Sequence, residues 1–367
     1  MSNQSNQHPS SSQSLDLITI SSSPIPNQSI NLFSPLNSFI NKISSWRDSL
    51  NLPEPGTYEQ VGRELKGVHL TNYIFDGARA ELSKALSLNP AFNVTHSFSL
   101  GAQGGSAAMG GTNPGSYNFG AMYATNKIFA QGSLDNDATL MGRLNYRWPT
   151  EQDISKLQIQ WPTSTSSPSV TQLEHDRRGQ DYSLSFKIYN PNPIDKSGIF
   201  ITQYLQSLHS RLSFGIESVW QIQPPMEDAS LSYLLKWTSS KKDWISTLNL
   251  SGQGILQATY WQKLSDKVEA GLDLVCLPHP SPSERKALTT FGVRYDLRQA
   301  TIRSQIDSHG KVSMLLEQRI APTFTFSIAG ELDHFKSQSK FGIGIQLESS
   351  PLDETALQGV TPPTPPM

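Results

Sequence analysis

Residues 340–348 read Lys-Phe-Gly-Ile-Gly-Ile-Gln-Leu-Glu, and this stretch decides the fold. Phe341, Ile343, Ile345 and Leu347 take every second position, with Lys340, Gly342, Gly344, Gln346 and Glu348 between them. Successive side chains of a β-strand point to opposite faces, so a strand here has one apolar and one polar face. A helix would need apolar residues three and four apart. The same period runs upstream. Phe324, Phe326, Ile328 and Leu332 oppose Thr323, Thr325, Ser327, Glu331 and Asp333. Val268, Ala270, Leu272, Leu274 and Cys276 alternate with Glu269, Gly271, Asp273 and Val275. Tyr182, Leu184, Phe186 and Ile188 alternate with Ser183, Ser185, Lys187 and Tyr189.

From about residue 72 to 348 we count roughly 19 such segments, about 15 residues for each strand and its turn, which suits membrane strands of about 9–11 residues. Turn signals separate them at Asn89-Pro90, Asp135-Asn136, Asn190-Pro191, Ser251-Gly252, Leu264-Ser265-Asp266 and His309-Gly310. Soluble sandwiches would show tighter spacing and a break between domains. Here only two low-complexity loops interrupt the pattern, Gly101–Gly115 and Pro162–Val170.

Composition agrees by exclusion. The 367 residues are 16% charged and 36% hydrophobic, with a mean hydropathy of -0.38. No apolar run reaches the 18 or so residues of a membrane helix. A net charge of -2 lacks the basic surplus of a nucleic-acid binder. Cys276, the single cysteine, excludes a disulfide framework and lies on the apolar face of its strand. What survives is a large soluble β protein or a transmembrane barrel, whose alternation gives the same average hydropathy.

The flanks differ from the middle. Residues 1–30 hold 17 Ser, Asn or Gln and one charge, Asp16, so they read as a disordered tail. They have neither the arginines of a mitochondrial presequence nor the apolar stretch of a secretory signal. Residues 31–70 read as helical. Leu32, Leu36, Phe39, Ile40, Ile43, Trp46 and Leu50 form one stripe, Pro53 and Pro55 stop it, and a short helix is expected over Tyr58–Lys66. Residues 71–348 are the barrel. Residues 349–367, ending Pro-Pro-Thr-Pro-Pro-Met, read as a second disordered tail. Hydrocarbon forbids unpaired strand edges, so the sheet must close. A closed sheet of this strand number leaves a lumen too wide for side chains to fill.

Several ordered motifs add a resemblance. Pro55-Gly56-Thr57-Tyr58-Glu59 comes first, then Phe75-Asp76-Gly77-Ala78-Arg79, Gly179-Gln180-Asp181-Tyr182 and Asn190-Pro191. Ser197-Gly198-Ile199, Tyr204-Leu205-Gln206-Ser207 and Ala258-Thr259-Tyr260-Trp261 follow. Over about residues 55–348 the chain closely resembles the pore-forming barrel subunits of the mitochondrial outer-membrane protein translocase, the TOM complex, within the mitochondrial porin superfamily. It departs from them in the glycine-rich loop Gly104 to Gly111 and the Ser/Thr-rich insert at 163–169. The resemblance implies an outer-membrane channel for unfolded precursor polypeptides, with no enzymatic activity and no cofactor. It also implies an N-terminal segment that enters the barrel. The partners it implies are precursors with presequences, small single-helix subunits, tail-anchored receptor subunits, further copies of the barrel, the sorting and assembly machinery, and membrane lipid. No nucleic acid is expected.

Acidic lumen patches would attract basic presequences over about a Debye length. Glu269, Asp273, Glu331 and Asp333 are the leading candidates for such a patch, with Glu317 and Asp307 beside them. Pairing with neighbouring arginines is the simpler role for the same carboxylates. Lys340, Gly342, Ile345 and Leu347 fit a polar-x-Gly-x-x-apolar-x-apolar pattern, similar to the signal read by the barrel-sorting machinery. An ordinary amphipathic strand would give half of it. The eight histidines form no HExxH or metal cluster, and no helix follows Gly101-x-x-Gly104-Gly105 to make a nucleotide loop. The alternative function is a metabolite or anion porin like the voltage-dependent anion channel. Replacing Ile345 and Leu347 by Ser is expected to block assembly while import of the precursor continues; unchanged insertion would rule the signal out.

Overall fold

A computed structural model describes residue 47 and residues 52–101, 115–150, 152–163, 168–192, 195–279, 286–349 and 365–366. Among these residues nineteen strands follow one another. The first six are β1 (Gly77–Leu88), β2 (Ala91–Leu100), β3 (Ser116–Ala124), β4 (Ile128–Asp135), β5 (Leu140–Arg147) and β6 (Asp153–Trp161). Next come β7 (Val170–Arg178), β8 (Tyr182–Asn192), β9 (Ser197–His209), β10 (Leu212–Gln223), β11 (Met226–Thr238), β12 (Trp244–Leu250) and β13 (Leu256–Ser265). The last six are β14 (Val268–Leu277), β15 (Lys286–Asp296), β16 (Ala300–Asp307), β17 (Lys311–Ala321), β18 (Phe324–Asp333) and β19 (Gln338–Ser349).

Each strand pairs antiparallel with the next, and β19 pairs with β1 to close the sheet. An odd number of alternating strands brings the first and last together in the same direction. The closing pair is therefore parallel, running from Gly77 opposite Gly342 to Lys84 opposite Ser349. This is the transmembrane β-barrel of about 19 strands that the alternation implied. Its burial is inverted relative to a soluble protein. Trp161 (65% exposed), Ile320 (63%) and Phe341 (59%) face outward as a lipid-facing band. Aromatic pairs stand at strand ends, such as Tyr146 with Trp148 and Trp237 with Trp244.

Inside runs residues 52–76. One rim holds the end of β1, and with it the ends of β9 and β11 and the start of β8. There Ser207 donates to the Pro53 carbonyl (2.7 Å), Ser183 to Gly56 (2.7 Å) and Lys236 to Pro55 (3.1 Å). Farther along, Arg303 Nε donates to the Gly67 carbonyl (3.2 Å) and the Leu70 N–H to Gln305 Oε1 (2.7 Å). The segment then turns into β1 at the other rim. A short peptide touching strands from β8 to β19 can do so only from within the barrel, so it lines the lumen from rim to rim.

The helix expected over Tyr58–Lys66 is two pieces: a 3-10 turn at Tyr58–Gln60 and α1 (Arg63–Val68). Gly62 divides them, in the left-handed region at φ +81°. Leu65, Val68 and Leu70, at 7%, 0% and 1% exposed, bury themselves against the wall. The expected helix at 31–50 lies outside the described residues except Arg47, and so do the N-terminal tail, the glycine-rich loop 102–114, residues 164–167 and most of the C-terminal tail. Among the described residues no helix is long and apolar enough to cross a membrane; the strands do the crossing.

The wall is moulded to this segment. At Gly271 of β14 an added Cβ would collide with Leu65 Cδ1 and lie 3.4 Å from His69 Nε2. Replacing Gly271 by Val is expected to lift α1 off the wall and to cost about 1–3 kcal/mol, the usual range for overpacking. A lowered thermal midpoint of the detergent-solubilised barrel would report it, and an unchanged one would contradict the packing.

Candidate functional site

The inner wall is built by the polar halves of the alternation. From β2 to β4 it carries Asn93, Thr95, Ser97, Asn118, Gln131 and Ser133, all hydroxyls or amides. Registers place each of these opposite another inward residue, as with Thr95 and Gly120 or Asn118 and Asp135. Apart from Asp135 at the end of β4, such a surface is hydrated and offers no fixed charge to hold a passing chain.

Charge is concentrated where the liner meets β6, β7 and β8. Lys156 Nζ lies 3.0 Å from Glu174, 2.8 Å from Asp176 and 3.7 Å from Glu59. Lys187 Nζ lies 3.3 Å from Glu59 and 3.5 Å from Glu174. The strand registers set this up: Lys156 stands opposite Glu174, and Glu174 opposite Lys187. Ser185 donates to Asp176 as well. The two lysines and two wall carboxylates balance. Glu59 adds a third carboxylate from the liner, and its side chain remains 55% exposed to the lumen.

Between liner and wall is a cavity of about 460 Å³, lined by Tyr58, Glu59, Leu65, His69, Gln203 and Asp273 among others. His69 and Gln203 are 8% and 7% exposed. His69 Nε2, Gln203 Oε1 and the Tyr58 hydroxyl have no hydrogen-bond partner within the protein. Buried polar atoms of this kind call for water or a polar guest.

The carboxylates singled out from the sequence are spread around the wall. Glu269 and Asp273 are on β14, whereas Glu331 and Asp333 are on β18, four strands away and so about 19 Å around the sheet. Glu269 stands opposite Lys263 and Arg294. Asp273 accepts from Gln257 Nε2 at 3.1 Å and lines the cavity. Glu331, 8% exposed, is held by Lys311 (2.9 Å) and Lys340 (3.4 Å). Glu317 pairs with Arg303 at 2.5 Å. Asp333 accepts the Phe335 and Lys336 N–H groups of the last turn, and Asp307 accepts from Ser308 and His309. Of the β19 pattern, Lys340 and Gly342 face the lumen, while Ile345 and Leu347 face outward, 39% and 44% exposed.

Sequence reasoning missed Glu59, Lys156, Glu174 and Asp176. In Val170–Arg178 polar residues occupy both faces, so Leu173, His175 and Arg177 point outward without an apolar stripe to mark them. The available signal was the Glu-x-Asp run of β7, which the register sets against Lys156 of β6.

A family model described as eukaryotic porin matches residues 54–342. The mitochondrial import receptor subunit tom40 of Neurospora crassa is 39% identical over 333 residues, covering 88% of this chain and 91% of its own length. The mitochondrial import receptor subunit TOM40 of Saccharomyces cerevisiae is 36% identical over 345 residues, with 87% and 86% covered. A human mitochondrial import receptor subunit TOM40 homolog is 28% identical over 307 residues, with 81% and 79% covered.

Replacing Lys156 by Met strands Glu174 and Asp176 with one remaining lysine and is expected to cost about 3–5 kcal/mol. Glu59→Gln, at an exposed position, should cost about 1 kcal/mol or less. Thermal unfolding of the two variants side by side checks that order.

Proposed function

The chain belongs to the eukaryotic porin family, and from that premise we propose that it is the protein-import channel of the mitochondrial outer membrane, conducting unfolded precursor polypeptides. The observation that carries the reading is 39% and 36% identity, along nearly nine-tenths of the chain, to proteins named as mitochondrial import receptor subunits. The geometry suits the task. A barrel of 19 strands encloses an aqueous channel. Its liner touches the wall from β6 round to β19, and the hydroxyl- and amide-bearing arc from β2 to β4 gives an extended chain a path without strong binding. The protein moves polypeptide and transforms nothing.

Presequences are steered by Asp273, which lines the cavity beside the liner, and by Glu269 on the same strand. Asp273 accepts from the neutral Gln257, and the two cations opposite Glu269 pair elsewhere, Lys263 with Asp266 and Arg294 with Asp296, unlike Glu331, whose two lysines occupy it. The partners are other subunits of the import complex. Among them we place small single-helix subunits and tail-anchored receptors on the apolar outer band, further copies of the barrel, and the sorting machinery during biogenesis. An anion-conducting porin is the second reading, supported by the family model itself.

Reconstituted in a planar bilayer, the channel is expected to be blocked by a basic amphipathic presequence peptide. Asp273→Asn with Glu269→Gln should weaken the block about threefold to fivefold per charge, and added salt should weaken it further. Indifference to the peptide together with strong anion selectivity would instead establish the porin.

A further inference from the structure

Eighteen of the strand pairings join neighbours in sequence, and most are short hairpins whose turns set the register. The β1–β19 seam has no such turn. Its two strands are separated by the whole barrel, and a parallel ladder repeats every two residues with equally good hydrogen bonds. A slip by two would keep every apolar side chain in lipid, so the alternation cannot forbid it. Something else must select the one register observed.

Phe75, two residues before β1 begins, lies across this seam on the lumen side. A Cβ added to Gly342 would be 2.5 Å from the Phe75 carbonyl oxygen and 2.7 Å from its ring carbon Cδ2. At Gly344 it would be 3.0 Å from the ring tip, Cζ, and closer still to Ser327 Oγ of β18. The ring therefore lies in a notch whose floor is two bare backbones. Arg79 of β1, which stands opposite Gly344, places its guanidinium 5.5 Å from the ring centroid. Ile74 and Phe75 also pack on the buried cluster of Leu70, Leu315 and Ala329.

The lumen face of β19 reads Gln338, Lys340, Gly342, Gly344, Gln346, Glu348. Only the central pair lacks side chains. A slip by two in one direction puts Lys340 beneath Phe75, and in the other direction Gln346. Either side chain would have to share the volume already filled by the ring. A slip by one would turn Phe341 and Ile343 into the lumen.

We propose that Phe75 seated on Gly342 and Gly344 is the key that fixes the register in which the barrel closes. The seat exists only once β19 has paired with β1, so it acts after β19 has been recognised for insertion. It gives Gly342 a role separate from any signal the strand carries. Because Phe75 belongs to the liner, closing the seam and anchoring the liner become one event.

Disulfide cross-linking of the full-length chain inserted in mitochondria, in a Cys276→Ser background, tests this. Glu81→Cys with Gln346→Cys reports the native register, because those residues are partners. Glu81→Cys with Glu348→Cys reports a slip, since in the native register their Cα atoms are about 8 Å apart and beyond disulfide reach. With Phe75 intact, only the native pair should oxidise. Phe75→Ala should lower that yield severalfold and let the slipped pair form, with Phe75→Leu intermediate. Gly344→Ala, made together with Ser327→Ala so that the ring alone opposes the new methyl, keeps Phe75 but raises the floor of its seat and should give a similar loss, and adding Phe75→Ala to it should cost little more. Full native cross-linking in Phe75→Ala, or losses that simply add, would overturn the proposal.

Discussion

In a hydrocarbon layer every backbone N–H and C=O must find a partner within the protein, and the rest of this structure depends on that requirement. It forces the sheet to close. With nineteen strands, closure is parallel between β1 and β19. Closure then creates an interior, and at this strand number the interior is wide enough to hold a peptide as well as water. The liner, the charge cluster and the cavity all exist because an edge could not be left open.

The interior is organised by two kinds of fit. Bare backbone receives bulk where the liner is apolar, as at Gly271 beneath Leu65 and at Gly342 beneath Phe75. Paired charge receives the liner where it is acidic, at Glu59 between Lys156 and Lys187. The first fit is steric and has no reach. The second is balanced locally, so it holds the liner without giving that arc of the wall a large net potential. The arc from β2 to β4, one strand away, carries Asp135 as its one inward charge among the described residues and is otherwise hydrated, which suits a surface that must release every passing sequence.

Much of the fold was legible before any coordinates. Phe341, Ile343, Ile345 and Leu347 announce their strand because one side meets lipid and the other water. The liner was readable as helical but not as broken, since Gly62 at φ +81° matters only once α1 must lie along the wall. The candidate site was less legible. For Glu331 the sequence left both a presequence patch and charge pairing open, and the registers placed Lys311 and Lys340 around it. Lys156, Glu174 and Asp176 went unnoticed because Val170–Arg178 has polar residues on both faces, which removes the contrast that alternation depends on.

By itself the sequence determined that residues 71–348 are a succession of strands, which face of each strand meets lipid, and that the sheet closes around an aqueous lumen. Those are consequences of a two-residue period and of the cost of unpaired backbone, both local properties. The tertiary structure alone decided which charges neutralise one another, that the liner crosses from rim to rim, and that a glycine pair in the last strand faces a phenylalanine just before the first. Such pairings join residues up to about 270 positions apart, and only the register of a closed barrel brings them together.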